Sequence, residues 1–97
     1  MKKTLRTPSV DQLFAAILNL KTEDECYAFF EDLCTVNELH SLAQRFDVGV
    51  RLLDRQTYQE ISKATGASTA TISRVRRLLE DGDTGLETAA ARLKGEA

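Results

Sequence analysis

The sequence predicts an all-α domain, and three observations carry that expectation. Side-chain caps followed three residues later by Glu or Gln recur along the chain: Ser9/Gln12, Thr22/Glu25, Thr35/Glu38, Thr57/Glu60 and Thr84/Glu87. Such a pair satisfies two orphan backbone donors reciprocally and marks a helix start. Each pair precedes a segment whose apolar residues step by three or four. No stretch alternates apolar and polar residues between turn dipeptides, as a half-buried strand would.

The elements follow in order. A first helix over about 10–20 places Leu13, Phe14, Ile17 and Leu20 on one face. A second over 23–34 is expected to bury Cys26, Phe29, Phe30 and Leu33. The third and longest, 36–53, carries Leu39, Leu42, Phe46, Val50 and Leu53 at helical spacing. A short fourth helix runs from Tyr58 to Thr65 and stops at Gly66, a residue suited to the left-handed cap. Ser68 caps a fifth helix reaching Glu80. The 82–85 region breaks the chain, and the Ala-rich stretch 87–94 is expected to form a frayed last helix. The whole reads as one domain: N-terminal helices over 1–34, a central helix in 35–56, a helix-turn-helix in 57–80, and a flexible or partly helical tail over 81–97.

Composition excludes several classes. With 97 residues, 42% of them apolar and 29% charged, the chain is a globular one with a thin core. No apolar run approaches a membrane span, and the basic N-terminus is followed by no apolar stretch before Asp11, so a cytoplasmic protein is expected. Cys26 and Cys34 fit neither a C-x-x-C site nor a disulfide framework, and His40 is the single histidine, which points to two buried, reduced thiols and no zinc site. No catalytic constellation is legible. His40 stands alone in a helix, Glu31 and Asp32 converge with no base, and Gly82 and Gly85 lack the strand and lysine of a phosphate loop.

The net charge of -2 conceals its distribution. Residues 44–79 hold seven basic groups against three acids, a net +4, and the remainder carries -6. From Ile61 to Leu79 there is no acid at all. That basic segment contains the helix-turn-helix signal, TYQEISKATGASTATISRVRRLL. Ile61 faces inward, small Ser62 lets the two helices cross closely, Gly66 makes the turn, and Ile72 and Val75 return to meet Ile61. Ser68, Thr69, Thr71, Ser73 and Arg74 then point outward from the N-terminal half of the second helix, where recognition helices meet base edges. Hydroxyls serve either bases or phosphates, and threonine methyls can contact the thymine methyl. Arg76 and Arg77 follow at positions suited to phosphate contact, and Thr57, Gln59 and Lys63 complete the candidate DNA-binding set.

At GASTATISR, residues 66–74, the sequence resembles the Trp repressor superfamily, in particular its YerC/YecD-type TrpR-like members. The likeness extends upstream through LCTVNELHSLAQRFDVGVRLLDRQTYQEI, residues 33–61. It implies an all-helical Trp-repressor-like bundle, an intertwined homodimer whose two recognition helices enter successive major grooves of a palindromic operator on double-stranded DNA. It further implies a repressor responsive to an amino-acid-like effector. By position, Arg45 matches the arginine that holds the ligand from the central helix, Arg74 the one that meets its carboxylate, and Thr35 a polar pocket position. Val75 departs from the small residue of tryptophan-binding members and takes room an indole needs, which counts against tryptophan; no cofactor is expected, and the existence and identity of a small-molecule corepressor stay open. Arg45 is equally placed to pair with Asp47 or Glu38, and Arg74 to meet phosphate directly.

Residues 35–45 also loosely resemble the helix preceding the motif in sigma-factor region 4 and in transposases, where such a module serves a larger complex. Against this, Leu13, Phe14, Ile17 and Leu18, with Tyr27, Phe29, Phe30 and Leu33, make apolar faces wider than one small core requires. Those faces point to a dimer.

Overall fold

The computed structural model describes residues 5–82 and 84–95. Those residues form six helices and no strand: α1 (Pro8–Leu18), α2 (Glu23–Leu33), α3 (Val36–Leu53), α4 (Tyr58–Thr65), α5 (Thr69–Glu80) and α6 (Gly85–Leu93). The chain divides after Val36 into two compact units.

In the first unit the start of α1 departs from the expected cap. Thr7, not Ser9, accepts the N–H of Val10 at 3.1 Å, and Pro8 occupies the first helical position. Proline there loses no needed donor and arrives with its φ preset, which moves the start two residues upstream. At its other end the helix closes on Asn19 as C-cap, so Leu20 falls beyond it. Thr22 caps α2 as expected, accepting from the Glu25 N–H at 3.1 Å, while the Glu25 carboxylate accepts from the Lys21 N–H at 2.7 Å. The expected burial along α2 does not occur: Cys26, Phe29 and Phe30 are half-buried and Leu33 is 54% exposed. Phe29 and Phe30 meet edge to face, with ring centroids 5.4 Å apart. Cys26 and Cys34 are free thiols, half-buried rather than buried.

The second unit holds the core. Val48, Ile61 and Ile72 are wholly buried, joined by Ala67 and Val75, with Leu52, Tyr58, Leu79 and Leu86 packed around them. Fully burying each of the four large aliphatic side chains among them, Val48, Ile61, Ile72 and Val75, stabilises by about 1.5–3 kcal/mol. On α3 the buried positions are Val48 and Gly49, while Leu42 and Leu53 remain exposed. Val48, absent from the expected apolar stripe, is the residue that meets the α4–α5 core.

α3 ends in a Schellman motif. The Gln56 N–H donates to the Arg51 carbonyl at 3.1 Å and the Arg55 N–H to that of Leu52 at 3.0 Å. Arg55 occupies the left-handed position, φ 64°, where glycine is usual. The tail is not merely frayed. Thr84 caps α6 by accepting from the Glu87 N–H at 3.2 Å, Ala90 is buried, and Leu86 lies against Gly49. An ion pair from Lys94 to Asp54 ties the end of α6 to the end of α3. Asp83, Glu96 and Ala97 of the tail lie outside the described residues.

Candidate nucleic-acid interface

The α4–turn–α5 pair is built from short-range hydrogen bonds over the shared core. Thr57 forms a complete capping box: its hydroxyl accepts from the Glu60 N–H at 3.1 Å, and its own N–H donates to the Glu60 carboxylate at 2.8 Å. That backbone bond, then the hydroxyl, holds the Glu60 carboxyl below its ordinary range. Gly66 ends α4 with φ 75° and ψ 4°, donating to the Ser62 carbonyl at 2.8 Å. Ser62 does more than stay small, since its hydroxyl donates to the Ala67 carbonyl at 3.0 Å across the turn. Thr65 accepts from the Ala67 N–H at 3.1 Å and donates to the Ile61 carbonyl at 2.7 Å. Ser68 then caps α5, accepting from the Thr71 N–H at 3.2 Å and donating to the Thr71 hydroxyl at 3.1 Å.

With Ile61, Ile72 and Val75 turned inward, the opposite side of α5 is left to solvent. Ser68, Thr69, Arg74, Arg76 and Arg77 are exposed, Thr71 and Ser73 half-buried. On α4, Gln59 and Lys63 are exposed. Thr57 is exposed too, and its hydroxyl oxygen is engaged in the capping box. The expected outward set is therefore presented together, with Ser68 and Thr71 partly committed to each other. No acidic side chain interrupts the face between Ile61 and Leu79.

Beside it runs a cleft of about 320 Å³ between α3 and α5, lined by Ser41, Gln44, Arg45, Thr71, Arg74, Val75 and Leu78. It brings Arg45 and Arg74 to one site. Of the expected ion-pair partners for Arg45, Asp47 is taken by Arg51 at 3.0 Å. Val75, 5% exposed, contributes its surface to the core and to the cleft wall. Thr35 belongs to the other compact unit and is not among the lining residues. Elsewhere among the described residues, no three His, Cys, Asp or Glu side chains are grouped to hold a metal ion. Among the described residues, no helix is long and apolar enough to cross a membrane.

The family model for Trp repressor protein matches residues 8–94. The chain belongs to the Trp repressor family. Its relatives include the uncharacterized protein YerC of Bacillus subtilis, 54% identical over 90 residues that cover 93% of this chain and 86% of that protein. A solved TrpR-like protein from Eubacterium eligens superposes with a TM-score of 0.91 at 51% identity, covering 99% of both chains. Trp repressor family membership places the chain among DNA-binding regulators rather than enzymes.

Within this family member, four residues at the site escaped the sequence pattern. Gln44 donates from Nε2 to the Thr65 carbonyl at 3.1 Å, pinning α3 to the end of α4 across 21 residues of sequence. Ser41 and Leu78 line the cleft with no motif to mark them. Tyr58 reaches α5, where its hydroxyl accepts from Ser73 at 3.5 Å and its ring lies under the Arg76 guanidinium, 6.0 Å from centroid to carbon. An aromatic residue at the start of a helix preceding an arginine-rich one was the available signal.

Proposed function

We propose that this chain is a sequence-specific DNA-binding transcription regulator, a dimeric repressor whose α4–turn–α5 pair acts as a helix-turn-helix with α5 in the major groove. The observation that carries the reading is the α5 face: hydroxyls and arginines presented together, free of carboxylates, on a helix anchored by Ile61, Ile72 and Val75. Arg76 and Arg77 serve phosphates, while Ser68, Thr69, Thr71 and Arg74 discriminate bases. The acidic remainder of the chain disfavours loose association with DNA and leaves discrimination to that face.

A homodimer is supported by α1 and α2, none of whose residues is buried. Phe14, Leu18, Tyr27 and Leu33 are 54–85% exposed, apolar surface of the kind a second copy covers. Two α5 helices related by a twofold axis would read half-sites about one helical turn apart, ~34–36 Å. Arg45 and Arg74 at one cleft suit the carboxylate of a small amino-acid-like effector. Val75 opposes an indole-sized one.

Selection from a random-sequence duplex pool at low salt tests the function, because phosphate contacts make affinity fall steeply with ionic strength. The expected result is one enriched palindrome, lost with Arg74→Ala and weakened with Thr69→Ala. Failure to enrich any sequence overturns the reading. Light scattering tests the assembly, since a stable monomer favours a helix-turn-helix module within a larger complex. Thermal shift against an amino-acid panel tests the effector.

A further inference from the structure

Tyr58 stands outside the outward-facing set on α5, yet it touches two members of it. It is the first residue of α4, held there by the Thr57–Glu60 capping box, and its ring packs against the buried cluster of Ile61, Ile72 and Val75. From that anchored ring the hydroxyl accepts a hydrogen bond from Ser73 at 3.5 Å, and the Arg76 guanidinium lies over the ring at 6.0 Å. Ser73 and Arg76 are three apart on α5 and so share a face. One aromatic side chain of α4 thus holds two polar side chains of α5.

The chemistry of the pairing matters. Arg76 has Glu80 four residues on, within reach on the helix surface but in the less favourable order, base before acid. Glu80 acts on the guanidinium through space, but less than Tyr58 does. An aromatic ring attracts the cation through its quadrupole without neutralising it, so the guanidinium keeps its full charge for an anion. The two groups act on each other: the Ser73 hydrogen bond first and Arg76 next hold the Tyr58 phenol below its ordinary value, and Tyr58 first, then Glu80, push the Arg76 guanidinium up. Arginine loses much rotamer freedom on binding a phosphate, and restraint beforehand lowers that cost.

We infer that Tyr58 is a positioning residue for DNA binding, an α4 platform that holds Arg76 and Ser73 of α5 in place for the phosphate backbone. This rests on the DNA-binding reading above. It assigns Tyr58 no base contact, so its loss should weaken matched and mismatched duplexes alike.

The test is a double-mutant cycle on the full chain with the enriched duplex, measuring affinity across a salt series. Tyr58→Leu is expected to weaken binding about two- to fivefold, the size of an exposed cation–π contact, and to reduce the salt slope. Tyr58→Phe, which keeps the ring, is expected to retain most of the slope. Within an Arg76→Ala background, Tyr58→Leu should lose most of its effect. Fully additive effects of Tyr58→Leu and Arg76→Ala, or an unchanged salt slope in a folded Tyr58→Leu protein, would overturn the positioning role while leaving DNA binding intact. A wild-type chain that enriches no duplex overturns the DNA-binding reading, and the role of Tyr58 with it.

Discussion

Gly49 offers the sharpest test of how α6 is held. A Cβ built on Gly49 would lie 2.6 Å from both Leu86 methyl carbons and 3.1 Å from its Cγ. Carbon atoms prefer about 3.5–4.0 Å, so alanine overlaps Leu86 by roughly 1 Å at two atoms. Overpacking of this kind costs about 1–3 kcal/mol. Against it stands alanine's advantage over glycine inside a helix, about 1 kcal/mol. Gly49→Ala is therefore expected to destabilise by about 0–2 kcal/mol, and each 1 kcal/mol moves the melting midpoint of a domain this size by roughly 4–8 °C. The cycle with Leu86→Ala removes ambiguity. Once Leu86 is truncated the clash disappears, and Gly49→Ala should turn stabilising by about 1 kcal/mol. Thermal and urea unfolding of the four proteins, at one fixed chain concentration because assembly contributes by mass action, reads the sign change. If Gly49→Ala stabilises equally in both backgrounds, α6 does not dock on α3 through this contact.

Three further outcomes follow from the same geometry. Ile61→Ala, in the wholly buried centre of the α4–α5 core, should cost about 2–5 kcal/mol in urea unfolding and abolish DNA binding through loss of fold rather than of contacts. The capping box should make stability pH-dependent: with the folded Glu60 pKa depressed, its contribution is present above the ordinary carboxylate range and lost as pH falls through the folded value. Acid unfolding of Glu60→Gln should accordingly be shallower than that of the wild type. Arg55→Gly relieves the left-handed residue at the end of α3 and should raise stability by up to ~1 kcal/mol, seen as a higher melting midpoint; a lower one would show that the Arg55 backbone carries no strain.

Much of this protein was legible in its sequence because its helix starts rest on local chemistry. Thr22, Thr57, Ser68 and Thr84 each act within three residues of themselves, and all four caps form where their pattern places them. The turn at Gly66 and the inward set of Ile61, Ile72 and Val75 were legible for the same reason, since short helices and a tight turn leave few ways to bury three aliphatic residues. At α1 two overlapping start signals competed, and the preset φ of Pro8 decided for Thr7.

Only the tertiary structure decided which side of α3 faces the core. Its apolar residues lie on more than one face, and the choice of Val48 and Gly49 depends on where α4, α5 and α6 pack. The same holds for Gln44 at Thr65, Tyr58 beneath Arg76, and Leu86 against Gly49. These contacts join residues 18 to 37 positions apart, and no local spacing encodes them. By itself the sequence determined the helices, the acid-free face of α5 and the family, because capping, helical spacing and the order of charges are properties of neighbours in the chain. The cleft that brings Arg45 to Arg74, and the ring that holds Arg76, arise only when α3, α4 and α5 close on one core, because each is a contact between helices.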